Sequence, residues 1–434
     1  MNKPVKIVGA GLAGCEAAWQ LAKRGFQVTL YEMKPHTFSP AHKMTGFAEL
    51  VCSNSLKAEH LTNASGLLKA EMRLLDSLIL KAAEHARVPA GGALAVDRDL
   101  FSGYVTRAME ENENITVIRE RIDTVPEGPV IIATGPLTHD ALADSIMSLP
   151  GFHALHFFDA AAPIVTAESL NMEKVFRASR YEKGSDYLNC PMTEEEYNAF
   201  YDALMSAELA EVHEFDKKQV FEGCLAVEIL ASRGRQTLAF GPLKPVGLTD
   251  PKTGRAPYAN VQLRQDNEEG TLFNLVGFQT RLKWGEQKRV FSMIPGLENA
   301  EFVRYGVMHR NTYLNGPDVL TSNYAVKGDP AVRFAGQITG VEGYMESTAS
   351  GLLAGISMAK HLSGEPEPDF TGRTVIGALA NHVCTPSHDF QPMNANFGIL
   401  ESLGERVKGK RNRYEKLAQR ALEKVQSVIN EYHI

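Results

Sequence analysis

Two cysteines stand in settings where a thiol could act. Cys52 lies in Glu49-Leu50-Val51-Cys52-Ser53-Asn54-Ser55-Leu56-Lys57, and Cys224 in Phe221-Glu222-Gly223-Cys224-Leu225-Ala226-Val227-Glu228. At the ordinary cysteine pKa of about 8.5 only about 3% is thiolate at neutral pH. A nucleophilic or basic role therefore needs a neighbouring cation, helix start or hydrogen-bond donor. Lys57 and the Ser and Asn donors beside Cys52 are such groups. The competing reading is a small buried hydrophobe, the usual fate of an isolated cysteine. It weighs more on Cys224, which sits in an apolar run, Val220–Leu230, that reads as a strand. His309, in Val307-Met308-His309-Arg310-Asn311-Thr312-Tyr313, could stack on a flat substrate; a hydrogen-bonded histidine at a junction explains it equally well. The five cysteines form no C-x-x-C pair and no ligand-spaced cluster, which disfavours dithiol redox chemistry and predicts no metal site.

These residues need elements to position them, and the first thirty-two residues supply a dinucleotide-binding βαβ pattern. Val5-Lys6-Ile7-Val8 reads as a short strand, followed at once by Gly9-Ala10-Gly11-Leu12-Ala13-Gly14. A helix of good formers from Cys15 to Arg24 comes next, then a second strand, Gln27–Tyr31, ending in Glu32. Gly9 permits the tight turn, Gly11 lets the backbone approach a pyrophosphate, and Gly14 lets helix and strand pack closely. The helix start offers unpaired N–H groups to negative charge. Glu32 can accept from a ribose diol. Two later segments return to the same place. Pro129–Gly135 is a buried strand ending in Ala133-Thr134-Gly135, as in flavoproteins of the glutathione-reductase type. Val332–Gln337 is a strand running through Gly336, Gln337 and Gly340 into a small-residue helix, Ser347–Gly355, and resembles the second flavin motif of that superfamily. In that superfamily the loop carrying Cys52 also passes beside the flavin. A nicotinamide domain has no need of a distant C-terminal piece, so FAD outranks NAD.

The predicted fold is α/β: a glutathione-reductase-type, FAD-binding Rossmann domain split by a mixed α/β insertion. Residues 1–160 and 306–434 form its two parts, and residues 161–305 the insertion or substrate domain. Within the insertion, Thr193 and Glu196 make a capping box at the start of a helix. Thr271–Phe278 reads as a strand, and the proline-rich stretch from Pro242 to Pro257 as an ordered loop. A C-terminal helix is predicted from Glu401 to Glu431. Its first part is basic, with eight Lys or Arg against two Glu between Arg406 and Lys424. A solvated face explains such a run as well as RNA does. The 434 residues carry a net charge of −7, which argues against a whole-surface nucleic-acid binder but allows a local basic patch. The chain opens on a strand rather than a signal peptide, and no apolar run approaches the roughly eighteen residues of a membrane helix. Unpaired cysteines point to the cytoplasm.

Taken together, these segments resemble the folate- and FAD-dependent tRNA (uracil-5-)-methyltransferase family, which is related to the GidA-type flavoproteins. The Gly9–Gly14 loop, the two cysteine segments, Met308–Tyr313 and the run from Phe334 to Ser347 carry the resemblance along essentially the whole chain. It implies transfer of a one-carbon unit from methylenetetrahydrofolate to C5 of a uridine in the tRNA T-loop. Reduced FAD is the reductant, regenerated by NADH or NADPH. It also accounts for the residue types. Thiolate addition at C6 makes C5 nucleophilic, a second group removes the C5 proton, and hydride reduces the exocyclic methylene. Cys224 is then the nucleophile and Cys52 the base, with the reverse assignment open. His309, or else Tyr344, would stack on the pterin. Arg281, Lys283, Lys288 and Arg289 would offer cations to folate carboxylates or RNA phosphates. Expected cofactor contacts are Gly9 to Gly14, Glu32, Lys57, Thr134, Gly135, Gly336, Gln337 and Gly340. Two rivals share parts of the pattern. One is the sister flavoprotein that modifies the tRNA wobble uridine, which carries a longer C-terminal helical region. The other is an NAD(P)H-dependent FAD monooxygenase or oxidase acting on a small molecule.

Overall fold

The computed structural model describes residues 3–160, 162–182, 184–210, 225–306, 308–387 and 390–434. Val5–Val8 forms the interior of a six-stranded sheet. Val28–Tyr31 pairs with it in parallel on one side and Val130–Ile132 on the other. Ile115–Ile118 extends the sheet beyond Val28–Tyr31, and Asp329–Phe334 beyond Val130–Ile132, both in parallel. Ala325–Val326 closes that edge as an antiparallel strand. The short branched runs suit strands covered on both faces, and Ile7, Leu30, Ile131 and Phe334 are fully buried. Strands two hundred residues apart in sequence thus lie side by side, Val332 opposite Val130.

The helices after the first and last parallel strands, Leu12–Ala22 and Tyr344–Leu362, cross in backbone contact. A Cβ added at Gly351 would sit 2.1 Å from the Ala13 carbonyl oxygen, and one at Gly355 would sit 2.8 Å from that of Ala17. The small-residue run therefore has a packing cause: only glycine lets the two helices approach this closely.

Between the two halves of this sheet the chain builds a second one. Its six strands are all antiparallel, in the order Phe176–Arg177, Tyr187–Met192, Ala259–Gln265, Leu272–Leu275, Ile164–Thr166, Phe302–Arg304. It has a core of its own, with Leu188, Val261, Phe273, Phe278 and Phe291 buried together. A two-stranded antiparallel ribbon, Ala154–Ala160 with Met308–Leu314, runs between the units. A small three-stranded sheet of Ser55–Ala58, Ala93–Val96 and Arg87–Val88 follows directly on Cys52.

The predicted capping box is formed. Thr193 Oγ1 accepts from the Glu196 N–H at 3.2 Å, and the Glu196 carboxylate accepts from the Thr193 N–H at 2.8 Å. Two expectations need correction. The run Val220–Leu230 is not a strand in its described part, because Val227–Ser232 is a helix. Val227 and Ala231 share the buried face at helical spacing, and Glu228 turns its carboxylate to Thr280 Oγ1 and the Arg281 N–H. The C-terminal helix begins at Lys410 rather than Glu401. Gly404 and Gly409 both take positive φ, 74° and 84°, and interrupt it, so Arg406 and Lys408 lie on the preceding loop. Among the described residues no helix is long and apolar enough to cross a membrane.

Candidate active site

The glycine loop is tightly packed at both ends and open in the middle. Gly9 has φ +102°, and a Cβ there would meet the Ala133 carbonyl oxygen at 2.6 Å. A Cβ at Gly14 would fall 1.8 Å from the Gly9 oxygen, so this glycine serves helix–strand packing. A Cβ at Gly11, by contrast, would meet nothing within 4 Å, which leaves its backbone open to a close approach. Glu32 holds the loop from below: one oxygen accepts from the Ala10 N–H at 2.9 Å, the other from the Lys34 N–H at 3.0 Å. No side chain caps the helix that starts at Leu12, nor the one that starts at Tyr344 after Gly343. Both helix starts therefore present backbone donors and the positive ends of their dipoles.

These elements surround a cavity of about 410 Å³. Gly9, Ala10, Gly11, Leu12, Ala13 and Glu32 line it from the first βαβ unit, and Thr134 and Gly135 from the third parallel strand. Gly336, Gln337 and Tyr344 line it from the late strand–helix junction, and Cys52 and Lys57 from the loop that follows the second strand. A pyrophosphate-bearing dinucleotide fits this donor set, because the approach at Gly11 is open, two helix starts lack caps and an acid ends the second strand. Gly14 and Gly340 do not reach the cavity. Gly340, at φ +94°, is packed on Phe390, whose ring a Cβ would meet at 2.5 Å.

Cys52 is half-buried and fixed by Tyr344 across 292 residues of sequence. The phenol oxygen accepts from the Cys52 N–H at 2.8 Å and from the Ser53 N–H at 3.3 Å, and lies 3.1 Å from the Cys52 sulfur. Burial, with the Cys52 charge beside it, pushes the Tyr344 phenol well above its ordinary pKa, so it stays protonated. Lys57 donates to Glu346 at 3.0 Å, which turns that cation toward the late helix. Among the described residues, Arg264 and Arg304, both on the antiparallel sheet, are cations whose charge reaches Cys52. Arg264 also donates to Ser53 Oγ at 2.6 Å and Asn54 Oδ1 at 3.0 Å, pinning the cysteine loop from the second unit.

The remaining candidates are scattered. Cys224 lies outside the described residues. His309 falls on the ribbon strand Met308–Leu314, opposite Asp159 in the register. Arg281 stands 3.7 Å from Glu228 and Lys283 pairs with Glu208 at 2.8 Å, and neither lines the cavity, although Gln279 does. Arg289 pairs with Glu286 on its own helix. Cys15 and Cys190 are buried thiols whose pKa desolvation pushes up, as expected of packing residues. Reading the sequence missed the Tyr344 hydroxyl on Cys52 and the contributions of Arg264 and Arg304. Nothing in linear spacing marks contacts that span hundreds of residues.

A family model described as "Glucose inhibited division protein A" matches residues 4–366. A methylenetetrahydrofolate–tRNA-(uracil-5-)-methyltransferase TrmFO from Staphylococcus saprophyticus is 60% identical over 425 residues, spanning 97% of this chain and 98% of that protein. The proteins of the same name from Acetivibrio thermocellus and Listeria monocytogenes are 59% and 58% identical over 99% of this chain, spanning 99% and 100% of their own lengths. Among solved structures, Aquifex aeolicus GidA superposes with a TM-score of 0.71 over 98% of this chain and 73% of that one, at 14% identity. That likeness is one of fold.

Proposed function

The chain belongs to the family of methylenetetrahydrofolate–tRNA-(uracil-5-)-methyltransferases, and from that membership we infer that it methylates C5 of a tRNA uridine with methylenetetrahydrofolate as carbon donor. The observation that carries this reading is identity of 58–60% over nearly the whole chain. The target uridine is that of the T-loop, extruded from its stack to reach the site. FAD, held by the Gly9–Gly14 loop, Glu32 and the Gly336–Gln337 turn, supplies the hydride when bound in reduced form; NADH or NADPH is its electron source.

The chain's own residues carry the covalent and proton steps. Cys224 adds to uracil C6, which gives C5 the character of an enolate carbon able to attack the methylene. Cys52 removes the C5 proton, and elimination then releases Cys224. Support for Cys52 as the base comes from its place on the cavity wall and from the two arginines whose charge reaches it. Residues 161–305 serve as the substrate-side domain, with residues 1–160 and 306–434 forming the flavin-side one. His309 stacks on the pterin. The basic run from Arg406 to Lys424 contacts RNA phosphates, which position the substrate rather than specify it.

Mass analysis of a T-loop RNA incubated with the enzyme, NADPH and methylenetetrahydrofolate is expected to find one added methyl at a uridine. Product formed without folate, or only with S-adenosylmethionine, overturns the reading. A 5-fluorouridine T-loop oligonucleotide is expected to form a covalent adduct through Cys224; an adduct through Cys52 reverses the two roles.

A further inference from the structure

We propose that Tyr344 is a positioning residue whose O–H donates to the Cys52 sulfur and so holds that sulfur as a hydrogen-bond acceptor, ready to take a proton. This rests on Cys52 acting as the base. The donor is identified by counting hydrogen bonds. A phenol oxygen has one proton to give and two lone pairs to receive. Both acceptor positions are taken, by the Cys52 N–H at 2.8 Å and the Ser53 N–H at 3.3 Å. The remaining contact of that oxygen is the Cys52 sulfur at 3.1 Å, so the phenol proton points there. The pKa of the phenol is raised, which keeps this proton on oxygen.

A hydrogen bond to an ionised acceptor is about twice as strong as one to a neutral acceptor, so this donor favours thiolate over thiol. The charged groups around the pair add to the same effect. Arg264 and Arg304 act on Cys52 from the antiparallel sheet, and Arg98 acts on Tyr344 from the start of the helix Arg98–Glu110. Asp266, 3.4 Å from Arg98, and Glu49, facing Arg304, offset part of this positive charge. In the proton step the C5–H bond breaks, an S–H bond forms on Cys52, and the C–H electron pair stays on the pyrimidine as an enolate. Tyr344 then faces a thiol, a weaker acceptor. Its contribution is largest before the transfer and sets how basic Cys52 is.

The test uses the FAD-loaded enzyme and follows iodoacetamide labelling of the Cys52 peptide against pH by mass spectrometry. Tyr344→Phe is expected to raise the apparent pKa of labelling by about 1 to 2 units, the range for one hydrogen bond to a charged group. Its methylation rate is expected to fall about tenfold or more near neutral pH and to recover as pH rises; a merely structural role would show no recovery. Where Tyr344→Phe loses FAD, 3-fluorotyrosine at position 344 decides the matter. It keeps the ring but donates more strongly, and is expected to shift the labelling curve downward. Labelling curves that do not move in either variant overturn the proposal. Full methylation by Cys52→Ala instead overturns the base assignment, whatever the labelling curves do.

Discussion

Glu32 is the residue whose two tasks are easiest to separate by experiment. Its carboxylate ends the second parallel strand, where a ribose diol is expected, yet both oxygens already hold backbone N–H groups of Ala10 and Lys34. It therefore shapes the glycine loop as well as lining the cavity. Glu32→Gln keeps the size but turns an amide N–H₂ toward one of those donors. The loss of one charge-assisted bond, about 1.5–3 kcal/mol, corresponds to roughly 10- to 100-fold weaker FAD binding. Titration of the apoprotein with FAD, followed by flavin fluorescence, checks this; an unchanged Kd would show that the carboxylate neither shapes the loop nor meets the ribose. Cys52 makes the complementary point. Its neighbours Ser53, Asn54 and Lys57 are legible in the sequence, and Lys57 was the expected local cation. The structure instead turns Lys57 to Glu346 and brings Arg264 and Arg304 to the thiol from another sheet.

At the scale of elements, the crossing of Leu12–Ala22 with Tyr344–Leu362 joins the two ends of the chain into one site. The contact admits no side chain at Gly351, where a methyl would lie 2.1 Å from a backbone oxygen. Gly351→Ala forces the helices apart and is expected to cost about 1–3 kcal/mol of stability, as overpacking does. Since both helix starts face the cavity, FAD retention falls with it. Thermal unfolding and flavin content after gel filtration measure the two effects. A variant that keeps both at wild-type levels means that the helices yield without consequence for the cradle. The opening strand, the glycine loop and the capping box at Thr193 were legible because each is decided within a few residues. Val227–Ser232 was not, because a short branched apolar run fits a buried strand and a buried helix alike. The start of the C-terminal helix was misplaced because Gly404 and Gly409 act through backbone conformation, which residue counting underweights.

For the whole molecule, the second unit is docked onto the first by polar contacts around the cysteine loop. Arg264 holds Ser53 and Asn54, Tyr187 donates to the Ala90 carbonyl at 3.0 Å, and Asp97 accepts from the Glu268 N–H at 2.8 Å. The first unit carries a buried acid of its own. Glu71 is fully buried and accepts from the Val375 and Ile376 N–H groups at 2.8 and 2.9 Å, at the start of the helix Val375–Cys384. Burial pushes its pKa up to about 8. A raised carboxyl pKa means that the folded state keeps a proton the unfolded state gives up. The stability it contributes is full below about pH 4 and drains away as pH rises toward 8. Glu71→Gln removes this dependence but leaves one helix N–H facing an amide donor. The variant is expected to be less stable than wild type at pH 5, with the gap narrowing by pH 9. Denaturant unfolding across that range checks it, and parallel curves for the two proteins would refute the assignment.

What the sequence alone determined was the cofactor fingerprint, the fold class and the family, because these reside in contiguous segments whose turn, strand and helix signals are local. The glycines, Glu32, Thr134, Gly135, Gly336, Gln337 and both cysteines could be singled out without coordinates. Only the tertiary structure decided which groups surround Cys52. Its partner Tyr344 lies 292 residues away, and Arg264 and Arg304 come to it from a separate antiparallel sheet. Proton affinity depends on distances of a few ångströms between such groups, and linear order carries no record of those distances.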